Sequence, residues 1–131
     1  MKVKVSEATG QTLDGLVAKC AFFSEGMVLI ALRQEPEWVI DWYDSRYDDG
    51  RQTTALPRYT TDWLQGGPII EEAGIHLEWS ESHEQWLAYS WDRFSNQDYK
   101  CEVGETALIA AMRCFVTSKL GDEFEIPEEL V

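Results

Sequence analysis

Cysteine, histidine and catalytic motifs are scarce in this chain, and their scarcity excludes several classes of protein. Its three cysteines, Cys20, Cys101 and Cys114, include no C-x-x-C pair, so we expect neither a disulfide framework nor a zinc knuckle. Its two histidines, His76 and His83, lack an H-E-x-x-H spacing and have no third strong ligand beside them. Neither a G-x-S-x-G elbow nor a phosphate-loop motif occurs. We therefore expect no metal, no cofactor and no catalytic residues.

Basic residues are also few. The chain has 11 Lys and Arg residues against 24 Asp and Glu residues, so its net charge is -13. Such a charge opposes direct binding to nucleic acid and to anionic membranes. The apolar runs, such as Leu108 to Met112, are far too short to span a membrane. The chain opens on the charged alternation Lys2-Val3-Lys4-Val5 and not on a signal peptide. We therefore expect a soluble, cytosolic protein that does not enter a membrane.

Aromatic residues are abundant, with six Trp, five Tyr and five Phe in a chain that is 44% hydrophobic. Aromatic side chains bury large areas but carry polar edges, so they serve both cores and binding surfaces. A chain of 131 residues with this content fits one globular domain around one core. We predict a single domain over residues 1–131, with an acidic tail from about residue 122.

Three segments show apolar residues at helical spacing, each with a start or stop signal. The last segment is the most regular, and its basic residues lie in its C-terminal half, where the helix macrodipole is negative. The predicted helices are Leu13 to about Cys20 after the cap Thr12, Ile69 to about Ala73 between Pro68 and Gly74, and Thr106 to Leu120 before Gly121.

Alternating or continuous apolar residues predict strands elsewhere in the chain. Asp44 to Pro57 and Asp92 to Cys101 lack periodicity, and we predict that they are loops. The expected fold is α+β: a small, mostly antiparallel sheet with a short N-terminal helix and a long C-terminal helix packed on one face. The predicted strands are Val3 to Val5, Met27 to Leu32, Trp38 to Tyr43, Ile75 to Trp79 and Trp86 to Trp91.

The segment Tyr59 to Glu71 is the most informative part of the sequence, because it mixes aromatic, hydroxyl, carboxylate and amide side chains with a Gly-Gly-Pro turn. Two glycines permit close backbone approach, and amide groups at a helix start can hold an anion. This mixture predicts a pocket floor for a nucleotide-like or amide-bearing ligand, with walls from Trp79, Trp86 and the C-terminal helix. The candidate ligand-binding residues are Tyr59, Thr60, Thr61, Asp62, Trp63, Gln65, Gly66, Gly67 and Arg113.

A structural role for the same segment is the alternative, and the residue types alone favour it slightly over a binding site. Asp62 would then cap a turn, Trp63 would fill the core, and the two glycines would form a bend. Arg113 stands out in an acidic chain and could pair with Asp62 or a ligand anion, or it could be a surface charge of its helix. Arg58, directly before the segment, could serve the same purpose.

Three segments together resemble the NinX family, small proteins of unassigned function that lambda-like temperate bacteriophages encode. They cover about half the chain, in the expected order, and Thr60 stands where the family typically has serine. The resemblance implies a phage origin and the host-cell cytosol, but it implies no reaction. The matching segments are Lys2-Val3-Lys4 with Ser6-Glu7, Leu13-Asp14 and Val17 to Cys20, then Tyr59 to Glu71, then Leu108 to Cys114 with Ser118 to Glu123 and Pro127.

Two functions follow from these observations. The first is a non-catalytic binding protein that holds a small, nucleotide-like ligand at Tyr59 to Glu71 and counters a host defence. The alternative is an acidic interaction protein that imitates nucleic acid and docks on a basic host protein without a small ligand. Its contact residues would be Asp44, Asp48, Asp49 and the tail from Asp122 to Glu129.

Overall fold

A computed structural model describes residues 2–21, 27–34, 38–44, 52–90, 100–121 and 123–125. These residues form an α+β fold in which three helices pack with antiparallel sheets, as the sequence predicts. The helices are α1 Gly10–Ala21, α2 Trp63–Ala73 and α3 Ala107–Leu120, and a single 3-10 turn covers Val5–Glu7. The strands are β1 Lys2–Lys4, β2 Met27–Gln34, β3 Trp38–Asp44, β4 Gln52–Ala55, β5 His76–Ser80, β6 Gln85–Ser90, β7 Lys100–Gly104 and β8 Glu123–Glu125.

Helix α3 is the centre of the core. Thr106 caps it, since its hydroxyl oxygen accepts a hydrogen bond from the N–H of Ile109 at 3.1 Å, and Gly121 ends it at a φ of 89°. The helix contacts α1 and α2 as well as strands β6 and β7. Because it is covered on several sides, apolar and small residues are buried around most of its circumference. The prediction that the C-terminal helix packs on the sheet is confirmed.

The described strands form three antiparallel sheets. Strands β2, β3 and β4 make one sheet, β5, β6 and β7 make a second, and β1 pairs with β8 in a third. The predicted hairpins β2–β3 and β5–β6 are both present, with Trp79 opposite Trp86 in the second. Strand β8 brings the start of the predicted acidic tail against the N-terminal strand.

Two strands lie in segments that the sequence predicts to be loops. Strand β4 occupies part of the range 44–57, and β7 begins at Lys100, inside the range 92–101. The residues of β4 are almost all exposed, so it shows no apolar alternation. Its side chains bond across the sheet instead: the Thr53 hydroxyl donates to Asp41 at 2.8 Å, and the Trp42 indole donates to Thr54 at 3.1 Å. Residues 45–51 and 91–99 lie outside the described residues.

The helices of the described ranges include none that is both long enough and apolar enough to cross a bilayer.

Candidate functional site

We call the segment Tyr59 to Glu71 the signature. Within it, Asp62 is the N-cap residue of helix α2. Its backbone is extended, and Oδ1 accepts a hydrogen bond from the N–H of Leu64 at 3.0 Å. Its carbonyl oxygen accepts from the N–H groups of Gln65 and Gly66 at 3.0 and 2.9 Å. The helix therefore begins at Trp63, and the predicted start at Pro68 is wrong. Pro68 lies inside the helix, where its missing N–H costs one hydrogen bond.

Gly66 and Gly67 lie in the first turns of α2 and do not form the predicted bend. A Cβ atom at Gly66 would overlap the carbonyl oxygen of Tyr59 and lie 2.7 Å from Cδ2 of Leu108. At Gly67 the nearest atom would be in the Trp63 ring, 4.0 Å away. The first glycine thus lets α2 approach both the preceding turn and α3, whereas the second has open space around it. The C-terminal glycine of the helix, Gly74, has a φ of 67° and ends α2 as predicted.

A buried carboxylate on α1 holds the signature in place. Asp14 is only 7% exposed, and its Oδ1 accepts a hydrogen bond from the N–H of Thr60 at 2.9 Å. Burial raises the pKa of the Asp14 carboxyl above its ordinary value, while hydrogen bonds from Thr60 and the charge of Arg58 act in the opposite direction. Burial, and then the charge of Asp14, raises the pKa of the neighbouring Tyr59. The contact joins segments that are 46 residues apart in the chain.

A pocket of about 570 Å³ opens at this junction. Its wall combines the first turn of α1, the start of β3, the end of β4 and the first half of the signature. The volume falls in the range usual for small-molecule sites, and the wall offers carboxylate, amide, hydroxyl, guanidinium and indole groups. The lining residues are Gly10, Gln11, Asp14, Trp38, Ala55, Leu56, Arg58, Thr60, Thr61, Asp62 and Gln65.

The structure brings some of the candidate residues together and separates others. Thr60, Thr61, Asp62 and Gln65 line the pocket, as does Arg58. The other five candidates are absent from the lining: Tyr59 is buried, Trp63 is 56% exposed on the outer side of α2, Gly66 and Gly67 lie in the first turns of α2, and Arg113 lies on α3.

Sequence reasoning missed three polar or aromatic residues of the pocket. These are Gln11, Asp14 and Trp38. Asp14 alone carries a signal in the sequence, because Leu13-Asp14 belongs to the first of the segments that resemble the NinX family.

The comparisons with known proteins agree with the sequence and the fold. The profile of the family described as Bacteriophage P22, NinX matches residues 4–119. The chain belongs to the NinX family. No curated protein matches it. Among solved structures, a phage protein from Bacillus cereus ATCC 14579 has 14% sequence identity and a TM-score of 0.55, over 86% of this chain and 89% of the other. At that identity the likeness concerns the fold alone.

Arg113 of this NinX-family chain has a structural role. Its Nε donates to the carbonyl oxygen of Ala8 at 3.0 Å, and its Nη1 donates to that of Val103 at 2.8 Å. Burial lowers the pKa of the guanidinium, against the charges of Glu102 and Glu105. The residue therefore ties α3 to the segment before α1 and to β7, and it is absent from the pocket lining.

The predicted aromatic walls also lie elsewhere in the NinX fold. Trp79 and Trp86 pack edge to face across β5 and β6, with ring centroids 5.5 Å apart. Neither residue is among the described residues that line the pocket. Among the described residues of the lining, Trp38 of β3 is the aromatic one.

A second, smaller cavity of about 300 Å³ lies where α1, α2 and α3 meet. Cys20 and Phe115 line it, with Lys119 at 5.9 Å from the centroid of the Phe115 ring. Burial raises the pKa of the Cys20 thiol to about 11, so the thiol is protonated at neutral pH. Within the described ranges no three His, Cys, Asp or Glu side chains are grouped as metal ligands.

Proposed function

We propose that this phage accessory protein binds a small polar ligand in the pocket beside the signature and releases it unchanged. One observation carries the proposal: Thr60, Thr61, Asp62 and Gln65 line a single cavity of about 570 Å³ together with polar residues of α1. Binding without turnover would let the phage withdraw a signalling compound from its host. We propose that the protein counters a host defence in this way.

The chemistry of the wall supports ligand binding. Asp62 uses Oδ1 to cap α2, and the side chains of Thr61 and Gln65 are exposed beside it. The hydroxyl and the amide can each donate and accept hydrogen bonds. Trp38 adds an apolar face to this polar surface. A few convergent polar groups beside an aromatic side chain are typical of a small-molecule site.

Ligand-dependent thermal stabilisation tests the proposal. A ligand from a host metabolite extract, present at one hundred times its Kd, would stabilise the folded state by about 2.7 kcal/mol. For 131 residues this corresponds to a rise in Tm of roughly 10 °C. The double variant Thr61→Ala, Gln65→Ala is expected to keep its basal Tm, because both side chains are exposed, and to lose the shift.

Gln85→Ala is the matched control, since Gln85 lies at the start of β6, away from the pocket. It is expected to keep the full ligand-dependent shift. An equal loss of the shift in both variants would place the ligand somewhere other than the pocket. A host extract that never changes the Tm of the wild-type protein would count against the proposal itself.

A second candidate function is docking on a basic host protein. The net charge of -13 favours it, and so do two exposed apolar residues at the start of α2, Trp63 at 56% and Leu64 at 87%. Asp44 ends β3, whereas Asp48, Asp49 and most of the tail lie outside the described residues.

Charge reversal tests this candidate. Asp48→Lys with Asp49→Lys is expected to abolish capture of a specific host protein, and rising salt is expected to weaken the wild-type complex. The Thr61→Ala, Gln65→Ala variant is expected to retain capture. Binding that neither salt nor charge reversal affects would contradict docking through the acidic surface.

A further inference from the structure

The charges at the pocket nearly cancel. Asp14 and Asp62 bring two carboxylates, and Arg58 brings one guanidinium. Helices α1 and α2 both begin at the pocket, through Gln11 and Asp62, and each helix start is equivalent to about half a positive charge. The positive end of α2 already has a carboxylate on it, because Asp62 caps that helix. No surplus positive charge is therefore left at these lining residues for a multiply charged anion.

The charge of the whole chain acts in the same direction. At -13 the protein repels anions before they reach the pocket. Each phosphate monoester would add a further charge of about -1.5 to -2 at neutral pH. A ligand held mainly by phosphate groups would need a cluster of cations, and the described residues that line the pocket include one arginine and no lysine.

The neutral groups of the wall suit a planar ligand with alternating donors and acceptors. Gln11 and Gln65 supply two amides, each able to bond two neighbouring atoms on the edge of a nucleobase. The carboxylate of Asp14 can accept hydrogen bonds from N–H groups. Its position is fixed, because the residue is buried and accepts a hydrogen bond from Thr60. Trp38 offers a ring on which a flat heterocycle can stack.

We infer that the pocket selects an uncharged, planar heterocycle of the amide type, such as the base of a nucleoside, and that phosphate groups weaken its binding. This inference rests on the proposed function, because it names the ligand class of the same pocket. The ribose of a nucleoside would contribute less than the base.

Isothermal titration of the whole chain with guanosine and uridine, their mono- and triphosphates and free ribose tests the inference. At least one nucleoside is expected to bind, its monophosphate about tenfold more weakly and its triphosphate more weakly again. Gln65→Ala is expected to weaken nucleoside binding about tenfold, and Asp14→Asn by a similar factor. Gln85→Ala, away from the pocket, is expected to leave it unchanged, and Arg58→Gln is expected to affect nucleoside and monophosphate by the same factor, since no phosphate contact is lost.

Each opposite result has a distinct meaning. Affinity that rises with phosphate number, and collapses in Arg58→Gln, would overturn the inference while leaving the proposed function in place. The inference is also overturned, and the proposed function kept, if no member of the panel binds but a host extract still raises the Tm of wild type and not of Gln65→Ala. If neither the panel nor the extract acts, both the inference and the proposed function fail. Because Asp14→Asn can also loosen the turn at Thr60, the exposed Gln65 provides the independent variant.

Discussion

Replacing Gly66 by alanine is expected to destabilise the protein, although helix propensity alone predicts the opposite. In a helix interior, alanine is favoured over glycine by about 1 kcal/mol. The new Cβ at Gly66, however, would overlap the backbone carbonyl of Tyr59 and lie 2.7 Å from Cδ2 of Leu108. A backbone atom cannot move aside by changing rotamer, so α2 must shift away from the turn and from α3.

The expected net loss is about 2 kcal/mol, because overlap with a backbone atom puts the cost of overpacking near the upper end of its typical range of about 1 to 3 kcal/mol, and the gain in propensity offsets about 1 kcal/mol of it. Unfolding entropy of about 2.1 cal/mol/K per residue gives roughly 0.28 kcal/mol/K for 131 residues. The Tm is therefore expected to fall by about 7 °C. Urea unfolding followed by tryptophan fluorescence and circular dichroism measures the loss directly.

Gly67→Ala is the matched control on the next residue of the same helix. Its nearest non-neighbouring atom is 4.0 Å away, so the added methyl group meets no obstacle there. The gain in propensity is partly offset by Pro68, which disfavours helical backbone at the preceding residue when that residue has a Cβ. Its free energy of unfolding is expected to stay within about 1 kcal/mol of wild type. If Gly66→Ala proves as stable as Gly67→Ala, the close approach of α2 to Tyr59 is not as described.

Three further predictions concern buried polar groups. Arg113→Met is expected to lower the free energy of unfolding by about 3 kcal/mol in urea titrations, because it leaves the carbonyls of Ala8 and Val103 without their donor; a loss under 1 kcal/mol would contradict this. The pKa of Asp14 is higher in the folded protein than its ordinary value of 3.8, so protonation of Asp14 stabilises the folded state. This stabilisation is complete below pH 3.8 and is lost as pH rises through the folded-state pKa. Asn does not titrate, so the free energy of unfolding of Asp14→Asn minus that of wild type is expected to increase as pH rises from 4 to 7. A difference that decreases over that range would refute the assignment. The Cys20 thiol, with a pKa of about 11 against an ordinary 9.0, is expected to react with iodoacetamide at pH 8 about tenfold more slowly than a small-molecule thiol, because the smaller thiolate fraction outweighs the higher nucleophilicity of its thiolate; peptide mass spectrometry would measure the rate.

The sequence predicts most helix ends and hairpins correctly because those signals are local. Thr106 and Gly121 bound α3 through contacts within a few residues, and Gly74 ends α2 by its positive φ. The predicted start of α2 fails for a related reason. Two neighbouring signals compete, and the capping side chain of Asp62 prevails over the preference of Pro68 for a first helical position. Strand β4 is not predicted, because it is held by pairing with β3 and its exposed residues show no alternation of apolar and polar side chains.

The candidate site depends more strongly on tertiary contacts. Thr60, Thr61, Asp62 and Gln65 could be chosen from the signature because polar side chains next to glycine and tryptophan are unusual in a plain connector. Trp63 carries the same signal yet is exposed on the outer side of α2. No local pattern separates the two cases, since the side of the helix that faces the pocket is set by the packing of α2 on α3.

By itself the sequence determined the family, the fold class and the segment in which the candidate site lies, since each depends on residue order and local spacing. The tertiary structure decided which side chains meet. It brings Asp14 to Thr60 across 46 residues and Arg113 to Ala8 across 105, and it makes Gly66 a point of close packing. The physical reason is that hydrogen-bond and steric complementarity between distant segments exists only after they pack. The signature is therefore both a structural turn and a pocket wall, and Thr60 and Asp62 take part in both.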